Sequence, residues 1–128
     1  MFRKLLAILA LCSVIALLLV ACGTVGSAAS TVGNIVHLND AQFVQASITI
    51  KKGERLTLID DVLTPHIIAN GTWENGTAHS ATEPGAPQVK DVQINGNSSQ
   101  TIGPFTTAGT FKLYCTIHSG MNVTVVVQ

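Results

Sequence analysis

Tyr114-Cys115-Thr116-Ile117-His118-Ser119-Gly120-Met121 sets a thiol, an imidazole and a thioether three residues apart. Thiolate and thioether are soft ligands that select copper, and imidazole suits copper as well. A single Cys is most often a small buried hydrophobe, but His118 and Met121 at matching intervals reverse that preference. The stretch closes a period-2 run from Thr110 to Cys115 in which Phe111, Leu113 and Cys115 share one face. The thiol is therefore expected at a strand end, pointing into an apolar interior. A tight turn after it would gather ligands three apart around one point, helped by the dihedral freedom of Gly120. The stretch lacks a second imidazole, and His66, just after Pro65, could supply it.

Two His, one Cys and a weak axial Met form the trigonal donor set of a blue-copper electron-transfer centre. On His66…Cys115-x2-His118-x2-Met121 the chain resembles the cupredoxins, the family of plastocyanin, azurin and amicyanin. The short Cys-to-Met loop, with Thr116 after Cys115, looks most like amicyanin. The likeness runs from Asn34 to Gln128. It implies an all-β, Greek-key β-sandwich holding one copper ion, Cu(I) or Cu(II), on His66, Cys115, His118 and Met121. It also implies single-electron transport between redox proteins, such as a c-type cytochrome or a membrane electron-transfer complex, by a monomer that is not an enzyme. In the family the C-terminal His is the usual exit to partners, within an apolar patch; Ile117, Gly120 and Pro104 are the candidates for that patch here. One departure stands out. Many cupredoxins carry Asn straight after the first His, where it braces the ligand loop; this chain has Ile67, so the brace is absent or comes from elsewhere.

Upstream, strand signals recur without a convincing helical stretch. Phe43 to Ile50 alternates, with Ala46, Ile48 and Ile50 expected inward; Lys52-Gly53-Glu54 turns the chain. Arg55 to Asp60 alternates again through Leu56 and Leu58, and Asp60-Asp61 ends it. Pro65 holds Thr64 extended, and His66 to Ala69 follows as a short core segment. Residues 70–90 read as one long irregular segment carrying Trp73, expected as a lid on the core, and His79, expected in solvent. Val89 to Ile94 and Ser99 to Ile102 read as two strands joined by an Asn95-Gly96 hairpin turn. Gly103-Pro104 ends the second, and Thr107-Ala108-Gly109 turns into the Cys115 strand. Asn122 to Gln128 is apolar on both faces, as a central strand would be. About seven or eight short strands with turns between them fit a β-sandwich.

The first residues read as an address. Phe2-Arg3-Lys4 and the apolar run Leu5 to Leu19 have the layout of a secretory signal, residues 1–21. Leu19-Val20-Ala21-Cys22 resembles a bacterial lipobox, which would place lipid on Cys22 and anchor the protein outside the cytoplasm on the cell membrane. An uncleaved anchor is the alternative, since the run approaches the shortest bilayer-spanning helix; Ala21 before Cys22 and Gly23 after it fit cleavage better. Residues 22–33 then form a lipidated Cys and a flexible Gly/Ser/Thr/Ala tether, and residues 34–128 the cupredoxin domain. Without Arg3 and Lys4, five basic residues face seven acidic ones, a formal charge of −2. No basic patch remains, which argues against nucleic acid. With Cys12 in the signal and Cys22 lipidated, Cys115 has no disulfide partner.

Other readings were weighed on chemistry. Zinc accepts Cys and His, but a thioether is a poor fourth ligand for it. Copper delivery to an oxidase would favour an exposed, exchangeable site with more Met or His near the metal. Copper enzymes need an open position or a second copper, and four ligands without a spare His pair offer neither. A metal-free sandwich would leave the 115/118/121 spacing to accident. Phe105, Phe111 and Leu113 are the expected shields of the thiolate. His37 reads as structural or solvated, and the four Asn-x-Ser/Thr patterns carry little weight.

Overall fold

A computed structural model describes residues 33–128. The signal at 1–21, Cys22 and all of the tether but Gly33 lie outside the described residues. In chain order the strands are β1 (Asn34–Leu38), β2 (Ser47–Ile50), β3 (Leu56–Asp60), β4 (His66–Glu74), β5 (Thr77–Ser80), β6 (Val92–Ile94), β7 (Ser99–Ile102), β8 (Gly109–Cys115) and β9 (Asn122–Val127). Nine strands and no helix occur among the described residues, in two sheets. The smaller sheet has the order β1-β3-β7 and the larger β2-β9-β8-β4-β5, with β6 along the other side of β4. The all-β sandwich expected from the sequence is the fold observed.

Period-2 alternation builds the core, because successive side chains of a strand point to opposite faces. Val36 and Leu38 of β1, Leu56 and Leu58 of β3, and Phe111, Leu113 and Cys115 of β8 are buried, and so are Val123, Val125 and Val127 of β9. The apolarity of β9 on both faces is explained by its place between parallel β2 and antiparallel β8. β3 continues its inward face to Asp60, which is 2% exposed. Its Oδ1 accepts the Val62 N–H at 3.0 Å, while Oδ2 is buried without a hydrogen-bond partner.

Several expectations change. β1 lies ahead of the first strand read from the sequence and pairs in parallel with β3. Phe43 does not start a long strand; it forms an isolated bridge to Leu38, and β2 begins at Ser47, leaving Ala46 exposed rather than inward. Asn95-Gly96 joins no hairpin: β6 pairs with β4 and β7 with β3, so the chain crosses there from one sheet to the other.

The segment 70–90 is not wholly irregular. β4 runs on to Glu74 and returns as β5, with Trp73 opposite Ala78 and Glu74 opposite Thr77. The turn is Asn75-Gly76, at φ of 51° and 77°, the pair of positive values that a tight type I′ hairpin demands. At Gly71, φ is 134° and an added Cβ would collide with the His79 carbonyl and sit 2.9 Å from the Tyr114 ring. Only glycine allows β4 to bend there, and the bend lays the hairpin over the outer face of β8. Tyr114 is consequently 5% exposed although it faces away from the core. The remainder, residues 81–91, is pinned by buried Asn70, whose Oδ1 accepts the Val89 N–H at 2.6 Å and whose Nδ2 donates to the Pro87 carbonyl at 3.2 Å.

Candidate metal centre

Cys115 ends β8 and His66 begins β4. These strands pair antiparallel with Ile68 opposite Cys115, so the two residues meet at the same end of the sandwich although 49 positions apart. The loop 116–121 folds back on the strand it leaves. Cys115 donates its N–H to the Met121 carbonyl at 3.0 Å, Met121 donates to the His118 carbonyl at 3.3 Å, and Thr116 donates to the Ile67 carbonyl at 2.7 Å. Gly120 takes a φ of 77° within it.

The outcome is a triangle of donor atoms. Cys115 Sγ lies 3.4 Å from His118 Nδ1 and 3.8 Å from His66 Nδ1, and the two Nδ1 atoms are 3.2 Å apart. A circle through these three atoms has a radius of about 2.0 Å, close to the roughly 2.0–2.3 Å that nitrogen and sulfur keep from a bound transition metal. Two imidazole nitrogens and a sulfur at these distances cannot each make a straight hydrogen bond to both of the others, because each ring nitrogen offers only one proton or one lone pair. A single cation at the centre satisfies all three. Among the described residues, the ligand atoms of these three all lie within 4.8 Å of one another. Met121 is 1% exposed and is folded back beside Cys115 by its backbone bonds.

Burial differs within the set. His66 and Cys115 are fully buried, while His118 is half-buried and its neighbour Ile117 is 50% exposed. Burial pushes the pKa of His66 down from its ordinary value, an effect opposed by the charge of Asp60 and reinforced by His118. The neutral imidazole this favours is the form that ligates a metal. With Nδ1 turned to the centre, the remaining nitrogen, Nε2, is buried without a hydrogen-bond partner.

Two expectations about the surroundings are corrected. Phe105 and Phe111 do not shield the thiolate. Phe111 lies four residues back along β8, roughly 13 Å at strand spacing, and its ring packs on Phe105 with centroids 6.0 Å apart. Pro104 cannot join an apolar patch around His118. Its neighbour Gly103 accepts a bond from the Arg55 guanidinium at 2.7 Å, and Phe105 bonds to Glu54, so the segment lies at the start of β3, opposite the end where β8 delivers Cys115. His37 and His79 stand apart from the cluster: His37 Nδ1 meets Asp61 Oδ2 at 2.8 Å, and His79 is exposed on β5 opposite Thr72.

Trp73 is the residue whose position sequence reading misplaced most. It is no lid on the core; it lies half-buried on the outer face of β8, its ring edge-on to Tyr114 with centroids 6.2 Å apart.

Sandwich, donor triangle and buried Met together define a cupredoxin. The family model described as copper binding proteins of the plastocyanin/azurin family matches residues 30–128. The chain belongs to that family. A plastocyanin from Ulva prolifera is 30% identical over 88 residues, covering 67% of this chain and 86% of that protein. Amicyanin from Paracoccus versutus superposes with a TM-score of 0.56 at 21% identity, covering 73% of this chain and 79% of that one. An oxidised amicyanin variant superposes with a TM-score of 0.57 at 20% identity, covering 80% and 88%. The donor set fits one copper ion, as the family implies.

Proposed function

We propose that this chain is a type 1 (blue) copper protein that carries single electrons between redox proteins, with copper held by His66, Cys115, His118 and Met121. The observation that carries the reading is the donor triangle: one sulfur and two Nδ1 atoms, 3.2–3.8 Å apart, drawn from β4, the end of β8 and the loop after it. Copper bound there supplies a one-electron Cu(II)/Cu(I) couple, and the weak axial thioether tunes its potential. The protein's part is to keep the donors in one arrangement for both oxidation states. Two sheets clamp Cys115 and His66 inside the core, so the ligands have little room to rearrange. That same burial of His66, Cys115 and Met121 suits retention of the metal better than its delivery to another protein. His118, the half-buried member, is the ligand through which a partner protein would reach the centre. Stepwise redox titration should show a single reversible one-electron wave, with the blue colour bleaching and returning and no copper released. Met121→Leu should keep the colour and shift the potential. Release of copper on each reduction would instead favour copper delivery.

The address at the start of the chain extends the proposal to a site of action. The basic start, the apolar run Leu5 to Leu19 and Leu19-Val20-Ala21-Cys22 support export and lipid attachment at Cys22, with the domain tethered outside the bacterial cell membrane. Stable retention needs more than one acyl chain on that residue. Cys22→Ser should release the domain from membranes or leave the signal uncut. Unchanged mass and unchanged membrane association would refute the anchor.

A further inference from the structure

Loop 116–121 lacks the side-chain brace that Asn would give at position 67, yet both of its ends are held by another residue. The Trp73 indole N–H donates to the Cys115 carbonyl at 2.7 Å, where the loop begins. The Trp73 backbone N–H donates to Asn122 Oδ1 at 2.7 Å, and Asn122 Nδ2 donates back to the Trp73 carbonyl at 3.0 Å, where the loop ends. Three hydrogen bonds from one residue therefore join the positions on either side of the ligand loop, 49 and 42 residues away in sequence.

We propose that Trp73 is a positioning residue for the copper centre: the β4–β5 hairpin carries it across β8 to staple Cys115 and Asn122 together, replacing the brace absent at Ile67. The rest of the hairpin is arranged to deliver it. Gly71 lets β4 bend over Tyr114, Asn75-Gly76 closes the turn, and the Tyr114 ring supports the indole from below at an interplanar angle of 81°. The Cys115 peptide is gripped on both sides, its N–H by Met121 and its carbonyl by Trp73. Such a grip limits how far Sγ can move when the charge at the centre changes. If Trp73 merely covered Tyr114, any flat ring would serve as well; the staple depends on the indole N–H and on Asn122.

The inference rests on the copper reading, and the test keeps the two apart by using full-length protein with and without metal. Without metal, amide hydrogen exchange over residues 116–121 is compared in the parent, Trp73→Phe, Asn122→Ala and the double variant. With copper, the charge-transfer spectrum and the reduction potential are recorded. Trp73→Phe keeps a ring on Tyr114 but removes the donor. It should speed exchange in the loop several-fold, displace the absorption band and shift the potential. Asn122→Ala should do the same, and the double variant little more than either, because the two act as one clamp. Glu74→Gln, which alters the hairpin's 3.8 Å contact with Lys112 but touches neither end of the loop, should match the parent. Parental exchange, spectrum and potential in Trp73→Phe would overturn the staple; should that variant not fold, the same three readouts in Asn122→Ala decide it. A loosened loop in variants of a protein that never turns blue would keep the staple and refute the copper reading.

Discussion

Where β7 leaves and β8 enters, the sandwich is closed by two aromatic rings: Phe105 and Phe111, 0% and 2% exposed, pack 6.0 Å apart behind Gly103 and Gly109. Where β8 leaves, roughly 13 Å along the strand from Phe111, it is closed by His66, Cys115 and Met121, equally buried. Both plugs exclude water, but only one does so with carbon alone. The rings gain from dispersion and from removal of apolar surface, without needing a partner. The donor end buries two imidazole nitrogens against a thiol, an arrangement whose cost is recovered only when a cation joins it. One end of the sandwich therefore stabilises the fold unconditionally, and the other is completed by its ligand.

Removing a ring tests the unconditional end. Phe111→Ala should cost the metal-free protein about 3–5 kcal/mol, the usual range for a buried Phe truncated to Ala, measured as a lower denaturant midpoint. If it still folds it should still turn blue with copper, because the ring lies far from the donor triangle. Loss of the blue centre in a folded Phe111→Ala protein would show the two ends to be coupled.

The donor end is itself divided, His66 being buried and His118 half-buried. His118→Gly should leave a hole open to solvent, so that imidazole added with Cu(II) restores most of the colour. His66→Gly should leave an enclosed hole beside Ile68 and Ile94 that imidazole fills poorly. Rescue of the second variant and not the first would reverse the assignment of the exposed ligand.

The smallest expected effect is on pH. Burial lowers the pKa of His66 in the folded state, so in acid the unfolded chain takes up this proton first. Its contribution to stability is complete above about pH 6.5, the ordinary value for His, and is lost as pH falls below it towards the depressed folded value. Metal-free protein should show a denaturant midpoint that falls as pH drops below about 6.5, with a shallower slope in His66→Gln. Equal slopes would mean that His66 does not report the burial of this end.

How far these regions could be read from sequence follows from what each depends on. β8 and β9 were legible because Phe111, Leu113 and Cys115, then Val123, Val125 and Val127, alternate without interruption. Cys115, His118 and Met121 were legible by chemistry and spacing, and His66 came with the resemblance to the cupredoxins. The β4–β5 hairpin was not, because β5 is exposed throughout and offers no apolar face to detect. Its turn signal was nevertheless present. The chain holds three Asn-Gly pairs, at 70–71, 75–76 and 95–96, and the sequence reading gave the hairpin to the last of them. Asn75-Gly76 has the two positive φ values of a turn, whereas Gly96 is glycine because an added Cβ would lie 2.5 Å from the Leu63 backbone. Only tertiary contact separates the two uses of the same dipeptide. Trp73 followed the same logic: its role depends on where the hairpin lands, and nothing in its own neighbourhood of sequence points to Cys115 or Asn122. β1 could have been found, since Val36 and Leu38 already alternate around His37.

The most direct test of the copper centre is the addition of Cu(II) to metal-free full-length protein, followed by visible absorption, for the parent and for Cys115→Ser. The parent should develop an intense blue thiolate-to-copper band that saturates at one copper per chain, while Cys115→Ser shows none at any ratio. A parent that binds Cu(II) without that band, or a blue band that survives in Cys115→Ser, would contradict a centre built on His66, Cys115, His118 and Met121.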